Sequence, residues 1–493
     1  MGRVVKHSGE GEGALPGQAQ GDLDATQSKG DQVLHTPQAA PMHQDAARAH
    51  RAAPWPRGRS FSQARARRLL ECPAGTSGAN SIPWPPRAVA RFACCPLLLD
   101  LSAYRALFAD RQLARIVLSS ILPRLPIGMN ALGLTLFVQS ATGSFAQAGW
   151  VTGAYMAALA VQAPMIGRWV DRRGPRGLLG PLAALHVLAL LALVGVVTQR
   201  MAMPWVLALA FVAGLSYPPV AMVLRATFRK ADLTAAQRQS AFAVDSVVTE
   251  TCFILGPLLV SLGLLAGSPA YAVALAAACT AIGVPLFVRS GALQRWGEVE
   301  PAAARHWLGP LRVAAVRRSL VLGLIAAVGI GLNEMSIPAF ATEAGLPRAI
   351  GAFYAAMSVP SALAGLYYGT RRWGWSLNHQ IQLTLAWLAL GSVAMAFAPS
   401  PWWFAAACGF TGMAFGPMIT ALSLQLGALS PREYVTEAFT WSMTVFMIGI
   451  GVGFWLGGLL VQSHGFSATL WASAGGMALA ALWCLRVPQV REH

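Results

Sequence analysis

Five ionisable residues stand inside long apolar stretches of this chain: Arg124, Arg225, Asp245, Glu250 and Glu334. A charge at the centre of an inserted helix costs about 2.5–3.5 kcal/mol, so such residues are expected to line a polar cavity or to pair with one another. Arg225 and Asp245 lie near the same end of two successive stretches, where an ion pair would brace the structure or gate it. Arg124 lies about nine residues, or about 13 Å, into the first stretch. Glu250 and Glu334 fall near the middle of theirs. A desolvated carboxyl favours its neutral form and can exchange a proton near neutral pH. That is the chemistry of a proton-coupled carrier. Glu250 or Glu334 is the expected proton site, with Asp245 as a third coupling candidate; the competing reading is a carboxyl hydrogen-bonded to a neighbouring helix. Asn130, Tyr155, Gln162, Tyr217 and Asn333 join Arg124 and Arg225 as cavity or substrate candidates, with polar helix packing as the equal alternative.

The elements that position these residues follow from composition. The 493 residues are 12% charged and 55% hydrophobic, whereas a soluble protein is about 25% charged. Lipid is the solvent that suits such a chain. The net charge of +17 raises the question of nucleic acid. Residues 1–104 hold twelve Lys/Arg and eight Asp/Glu, and most of the remaining twenty-five basic residues lie in short segments between apolar runs. That distribution is a membrane-topology signal and argues against a nucleic-acid partner. The chain lacks a phosphate-cradling Gly-x-x-x-x-Gly-Lys-Ser/Thr loop, which disfavours an ATP-driven pump. Its His and Cys residues show no metal-ligand spacing. No cofactor, metal or enzyme activity is expected.

Residues 1–104 lack apolar periodicity and read as a disordered N-terminal tail or as a translation start set too far upstream. A tail that binds an anionic membrane surface is the sharper alternative. From Ala106 onward, twelve runs of membrane-spanning length are predicted: 116–138, 147–168, 178–198, 203–226, 240–265 and 270–288, then 319–341, 349–370, 378–398, 402–426, 436–462 and 466–486. Each can cross a hydrocarbon core of about 30 Å with its backbone hydrogen bonds closed inside the helix. With the segment before the first span in the cytoplasm, that side collects twenty-one Lys/Arg and the other only Arg200 and Arg348. This bias predicts that both termini are cytoplasmic.

The two halves repeat. Ile127-Gly128-Met129-Asn130 matches Ile330-Gly331-Leu332-Asn333, and Gly149 and Gly167 match Gly351 and Gly369. GLSYPP from Gly214 matches GMAFGP from Gly412, and Ala241-Phe242 with Gly256 matches Ala438-Phe439 with Gly453. The offset stays between 197 and 203. Ordered matches at one offset indicate a duplicated six-helix unit. Six crossings return the chain to its starting side, so the copies are parallel about an axis along the membrane normal. The expected fold is an all-α membrane protein of twelve transmembrane helices in two six-helix bundles related by pseudo-two-fold symmetry. Its parts are an N-terminal bundle over 105–290, a cytoplasmic linker over 291–318 and a C-terminal bundle with a short tail over 319–493.

Between predicted spans 2 and 3 the chain reads GRWVDRRGPRG, from Gly167 to Gly177. This resembles the signature loop of the major facilitator superfamily, Gly-x-Leu-Ala-Asp-Arg-x-Gly-Arg-Lys. Gly167, Asp171, Arg172, Gly174 and Arg176 stand at matching positions, with Trp169 in place of Leu and Pro175 in place of a basic residue. The second copy, YYGTRRWG from Tyr367, keeps Gly369 and the arginines and lacks the Asp. In predicted span 5, Cys252-Phe-Ile-Leu-Gly256-Pro257 resembles the Gly-x-x-x-Gly-Pro-x-x-Gly-Gly motif of proton-coupled antiporters. Gly256 and Pro257 match, Cys252 replaces the first Gly, and Val260-Ser261 replace the last two. The resemblance covers about residues 106–488. It implies a bacterial inner-membrane transporter, acting as a monomer on a small-molecule substrate by alternating access, with protons as the coupling ion. It also implies that Asn130 and Asn333 line the cavity. Asp171 would face the helix N-terminus near Pro431–Thr436, whose dipole favours an anion, and latch the outward-facing state. Proton-coupled efflux is the leading expectation. A proton-linked importer and a non-transporting sensor on the same scaffold are the alternatives.

Overall fold

The structure, a computed structural model, describes residues 111–173, 175, 177–230, 233, 235–291, 308–371 and 373–489. The expected tail over 1–104 lies outside them. The described residues belong to a single compact unit and are built from helices. These are α1 (Arg111–Ile121), α2 (Pro126–Thr142), α3 (Phe145–Arg173), α4 (Leu179–Thr198), α5 (Met203–Leu215), α6 (Val220–Lys230), α7 (Ala235–Leu265) and α8 (Pro269–Arg289). After a single helical turn, Gly309–Arg312, come α9 (Ala314–Glu343), α10 (Ile350–Thr370), α11 (Leu377–Ala396), α12 (Pro401–Leu429) and α13 (Val435–Cys484).

Nine helical segments among the described residues are long and apolar enough to cross a membrane. Prolines interrupt two predicted spans. Pro123 lies within a 3-10 turn, Leu122–Arg124, and Pro126 opens the helix after it, so the turn separates α1 from α2; Pro218 and Pro219 separate α5 from α6. A proline removes a backbone donor and clashes with the preceding turn, so the helix bends or restarts. Ser268 and Ser400 stand just before Pro269 and Pro401, and each Oγ accepts an N–H of the following helix. A serine cap ahead of an N1 proline marks a helix start. The longest segment, α13, runs 50 residues and is interrupted at Gly465, where φ is 77°. The N–H of Phe466, freed by that break, donates to Glu343 Oε1 at 3.2 Å.

The sequence repeat returns as a repeated helix crossing. α2 meets α7 at Gly128, where a Cβ would stand 2.4 Å from the Cys252 carbonyl oxygen, and at Gly256, where it would stand 2.5 Å from the Gly128 carbonyl carbon. α9 meets α13 in the same manner: a Cβ on Gly331 would stand 2.4 Å from the Ile450 oxygen, and one on Gly453 would stand 2.4 Å from the Val328 oxygen. Small residues let helix backbones approach closely where lipid supplies no hydrophobic drive. Near the 343–350 turn, Phe340 stacks on Phe404 at 3.8 Å, with Phe353 and Phe466 edge-on to Phe340.

Candidate functional site

Helices α1–α8 and α9–α13 meet through α3 against α13 and α7 against α10. Both contacts are built on matched positions of the repeat. A Cβ on Gly149 would lie 2.5 Å from the Phe454 oxygen and 3.2 Å from Gly458 Cα. A Cβ on Gly351 would lie 3.1 Å from the Pro257 oxygen and 3.0 Å from Ser261 Cβ. Gly351 follows Gly149 by 202 residues, and Phe454 and Gly458 follow Pro257 and Ser261 by 197. The Gly351 N–H donates to Ser261 Oγ at 2.7 Å, and the Phe145 N–H donates to Gln462 Oε1 at 3.1 Å. Trp150 packs edge-on against Trp455. These two hydrogen bonds and this ring contact lie at one end of the molecule, beside the 142–145, 265–269, 343–350 and 462–466 connections.

Glu250 stands on the line of this closure. At 3.6 residues per turn, residues 257 and 261 of α7 each fall within about 20° of residue 250 around the helix, and Glu250 lies about 10 Å along the axis from Pro257. Pro257 and Ser261 are buried, whereas Glu250 is exposed and has no hydrogen-bond or ion-pair partner among the described residues. Glu250 therefore shares the helix face that makes the closure and is exposed beyond it.

Deeper in the first set, three charges converge. Arg124 ends the 3-10 turn, and its Nη1 donates to Asp245 Oδ1 at 2.6 Å and its Nη2 to Thr249 Oγ1 at 2.5 Å. Asp245 and Thr249 are one turn apart on α7, so one guanidinium spans both. Arg225 Nε, from α6, donates to Asp245 Oδ2 at 2.5 Å. The Arg124 and Asp245 side chains are 4% and 1% exposed, and that of Arg225 is 46% exposed. One carboxylate holds two guanidiniums, and the uncompensated positive charge reaches the surface at Arg225.

Asn130 Nδ2 donates to the Tyr155 hydroxyl at 2.8 Å and stands 3.4 Å from His186 Nε2. His186 Nδ1 lies 2.7 Å from the Ala213 carbonyl, which can only accept, so Nδ1 carries the proton and Nε2 faces Asn130 as an acceptor. Tyr217 packs edge-on to His186, and its carbonyl accepts from Gln162 Nε2. In the second set, Asn333 Nδ2 donates to Ser392 Oγ at 2.9 Å, and Ser392 lies 3.2 Å from Ser473 Oγ. Asn130, Tyr155, Gln162, Tyr217 and Asn333 are thus all buried in packing within their own helix set in this conformation. Glu334 is half-buried and lines a crevice with Asn333, Met357, Ser392, Thr411 and Phe415 that has room for about one water. Its carboxyl has no partner among the described residues, and Tyr354 donates only to its backbone carbonyl, at 3.0 Å.

Gly167, Asp171 and Arg172 fall in the last turns of α3, while Gly174 and Arg176 lie outside the described residues. The contact expected between Asp171 and the start of α13 therefore falls outside what the structure describes. Gly256 forms the crossing with α2, and Pro257 stands at the closure. Sequence reasoning missed His186, Thr249, Ser261, Ser392 and Ser473. His186 had a signal, a lone imidazole in the apolar run over 178–198. Hydroxyls are too common in membrane helices to single out.

The arrangement is that of a polytopic membrane protein whose two helix sets meet closely at one end. The Major Facilitator Superfamily model matches residues 116–379, more than half of the chain. The chain belongs to that superfamily. Its structure is similar to that of the nucleoside transporter NupG, with a TM-score of 0.59 at 15% identity, covering 76% of this chain and 98% of that one. A point mutant of NupG gives 0.60 at 14% identity, covering 76% and 99%. The POT family transporter PepTSo gives 0.59 at 14% identity, covering 76% and 97%. No curated protein sequence matches this chain.

Proposed function

We propose that the protein is a secondary active transporter that carries a small molecule between its two helix sets by alternating access, coupled to protons and operating as an exporter. The carrying observation is the pseudo-symmetric pair of close contacts at Gly149 and Gly351, which closes one end of the molecule while Glu250, on the same helix line, stays exposed. Two rigid units joined by matched small-residue contacts can rock about them and expose the space between to each side in turn. In this reading the chain makes twelve crossings. The broken pairs α1–α2 and α5–α6 each form one, α13 forms two about Gly465, and α3 and α11 complete the set. Residues 105–290 and 319–493 are the two bundles, 291–318 is the linker between them, and both termini face the cytoplasm. The closed end then faces outward.

Glu250 and Glu334 are the proton sites in this reading. Exposed Glu250 and half-buried Glu334, neither with a counter-charge among the described residues, exchange a proton at lower cost than Asp245, which is tied to two guanidiniums. Export is supported by the Gly256-Pro257 motif. The test is uptake and counterflow in proteoliposomes under an imposed pH gradient, with nucleosides, the substrate class named for NupG, among the solutes. Glu250→Gln or Glu334→Gln is expected to lower gradient-driven transport at least tenfold and to leave downhill exchange measurable. Full gradient-driven transport in both variants would falsify the proton assignment. Absence of any transported solute across a broad panel would overturn the transporter reading.

A further inference from the structure

We propose that the pocket where α9 begins and α13 ends binds the phosphate headgroup of an anionic phospholipid. The pocket has a volume of about 410 Å³ and is lined by Arg317, Arg318, Val321, Trp483 and Arg486. All three arginines are exposed, and none pairs with a carboxylate among the described residues. Like charges this close repel, yet the backbone around them holds the group together. Arg318 Nη1 donates to the Arg486 carbonyl at 3.2 Å, Arg317 Nη1 donates to the Leu311 carbonyl at 3.0 Å, and Trp483 Nε1 donates to the Arg318 carbonyl at 3.1 Å. The Arg486 guanidinium also lies over the Trp483 ring, 4.8 Å from its centre. The planar fork of a guanidinium matches phosphate oxygens in pairs, so a cluster with no acid among the described residues suits a phosphate.

A lipid is favoured over a free anion by what lies beside the pocket. Leu482 and Leu479 are 64% and 54% exposed, and with Arg486 they fall on one face of the chain at helical spacing. An acyl chain lying on that leucine face would place its headgroup among the arginines. A tryptophan at the same level suits the membrane–water boundary. Basic pockets between helix ends favour anionic headgroups through charge and through adjacent apolar surface together. This site lies at the opposite end of the molecule from the Gly149 and Gly351 contacts and does not depend on the transport reading.

The test is native mass spectrometry of the purified full-length protein in neutral detergent, titrated separately with phosphatidylglycerol, phosphatidylcholine and inorganic phosphate. The expected result is retention of phosphatidylglycerol in preference to phosphatidylcholine, with no competition from millimolar phosphate. Combined Arg317→Gln and Arg486→Gln should cut that retention at least fivefold at an unchanged melting temperature. Arg432→Gln, an exposed arginine at the same end of the molecule and outside the pocket, should leave it unaltered. Combined Arg317→Lys and Arg486→Lys keeps the charge, removes the fork and should give an intermediate value. Equal retention of both lipids, displacement by free phosphate, or equal loss in Arg432→Gln would each overturn the assignment.

Discussion

Asp245 is the residue on which two helices and a broken turn converge. Its carboxylate takes Arg124 from the 3-10 turn and Arg225 from α6. Removing one partner of a buried pair leaves an uncompensated charge, which costs about 3–5 kcal/mol. Asp245→Asn strands Arg124, whose side chain is 4% exposed, and is expected to lower the thermal melting temperature in detergent by several degrees. Arg225→Gln removes a side chain that water already reaches and should shift melting by much less. Equal shifts in the two variants would show that burial does not rank these charges. Glu250 and Glu334 belong to a different class, because neither has a counter-charge among the described residues. Replacing either by glutamine should leave melting within about 0.5 kcal/mol of the parent, in the range of a change with no broken partner. In the proposed transport cycle their substitution acts on coupling and leaves stability unchanged.

Two kinds of glycine contact recur among the helices, and they predict different outcomes. Gly128 and Gly256 join helices within one set, whereas Gly149 and Gly458 join α3 of one set to α13 of the other. A bulky side chain at Gly128 must be absorbed by packed backbone, at about 1–3 kcal/mol or more. Gly128→Leu is therefore expected to reduce folded yield. Gly149→Leu can be relieved by parting the two sets at that end. It should fold, and spin labels on Ser144→Cys and Ser463→Cys should move apart in distance measurements. An unchanged distance distribution in a well-folded Gly149→Leu protein would remove the hinge from the model of transport. The Gly128 crossing was legible as a motif, since Ile127-Gly128-Met129-Asn130 repeats as Ile330-Gly331-Leu332-Asn333. The role of Ser261 was not. In the sequence it is only a departure from the antiporter pattern, yet in the structure it accepts the Gly351 N–H across the closure.

At the scale of the molecule, charge asymmetry predicts orientation. With Arg200 and Arg348 the only basic residues on the outer connections, cysteines placed at Ser144, Ser268 and Ser400 should react with a membrane-impermeant thiol reagent added to intact cells. A cysteine at Ser376, which is partly exposed, should react only after permeabilisation. Reaction of Ser376→Cys and Ser400→Cys from the same side would rule out the twelve-crossing topology and would require α11 to lie outside the bilayer.

The sequence by itself determined the solvent, the approximate helix ends and the internal duplication. Each depends on local quantities: apolar run length, capping serines, helix-breaking prolines and fixed offsets between like residues. The predicted spans 178–198 and 270–288 fall within a residue of α4 and α8 for that reason. Beyond the Arg225–Asp245 pair, which the sequence already pointed to, the tertiary structure decided which polar side chains meet. Facing around a helix depends on about 100° of rotation per residue, and partners such as Arg124 and Asp245 are 121 residues apart. Whether Glu250 lies buried or exposed depends on how far two helix sets have parted, and that distance is a property of their packing.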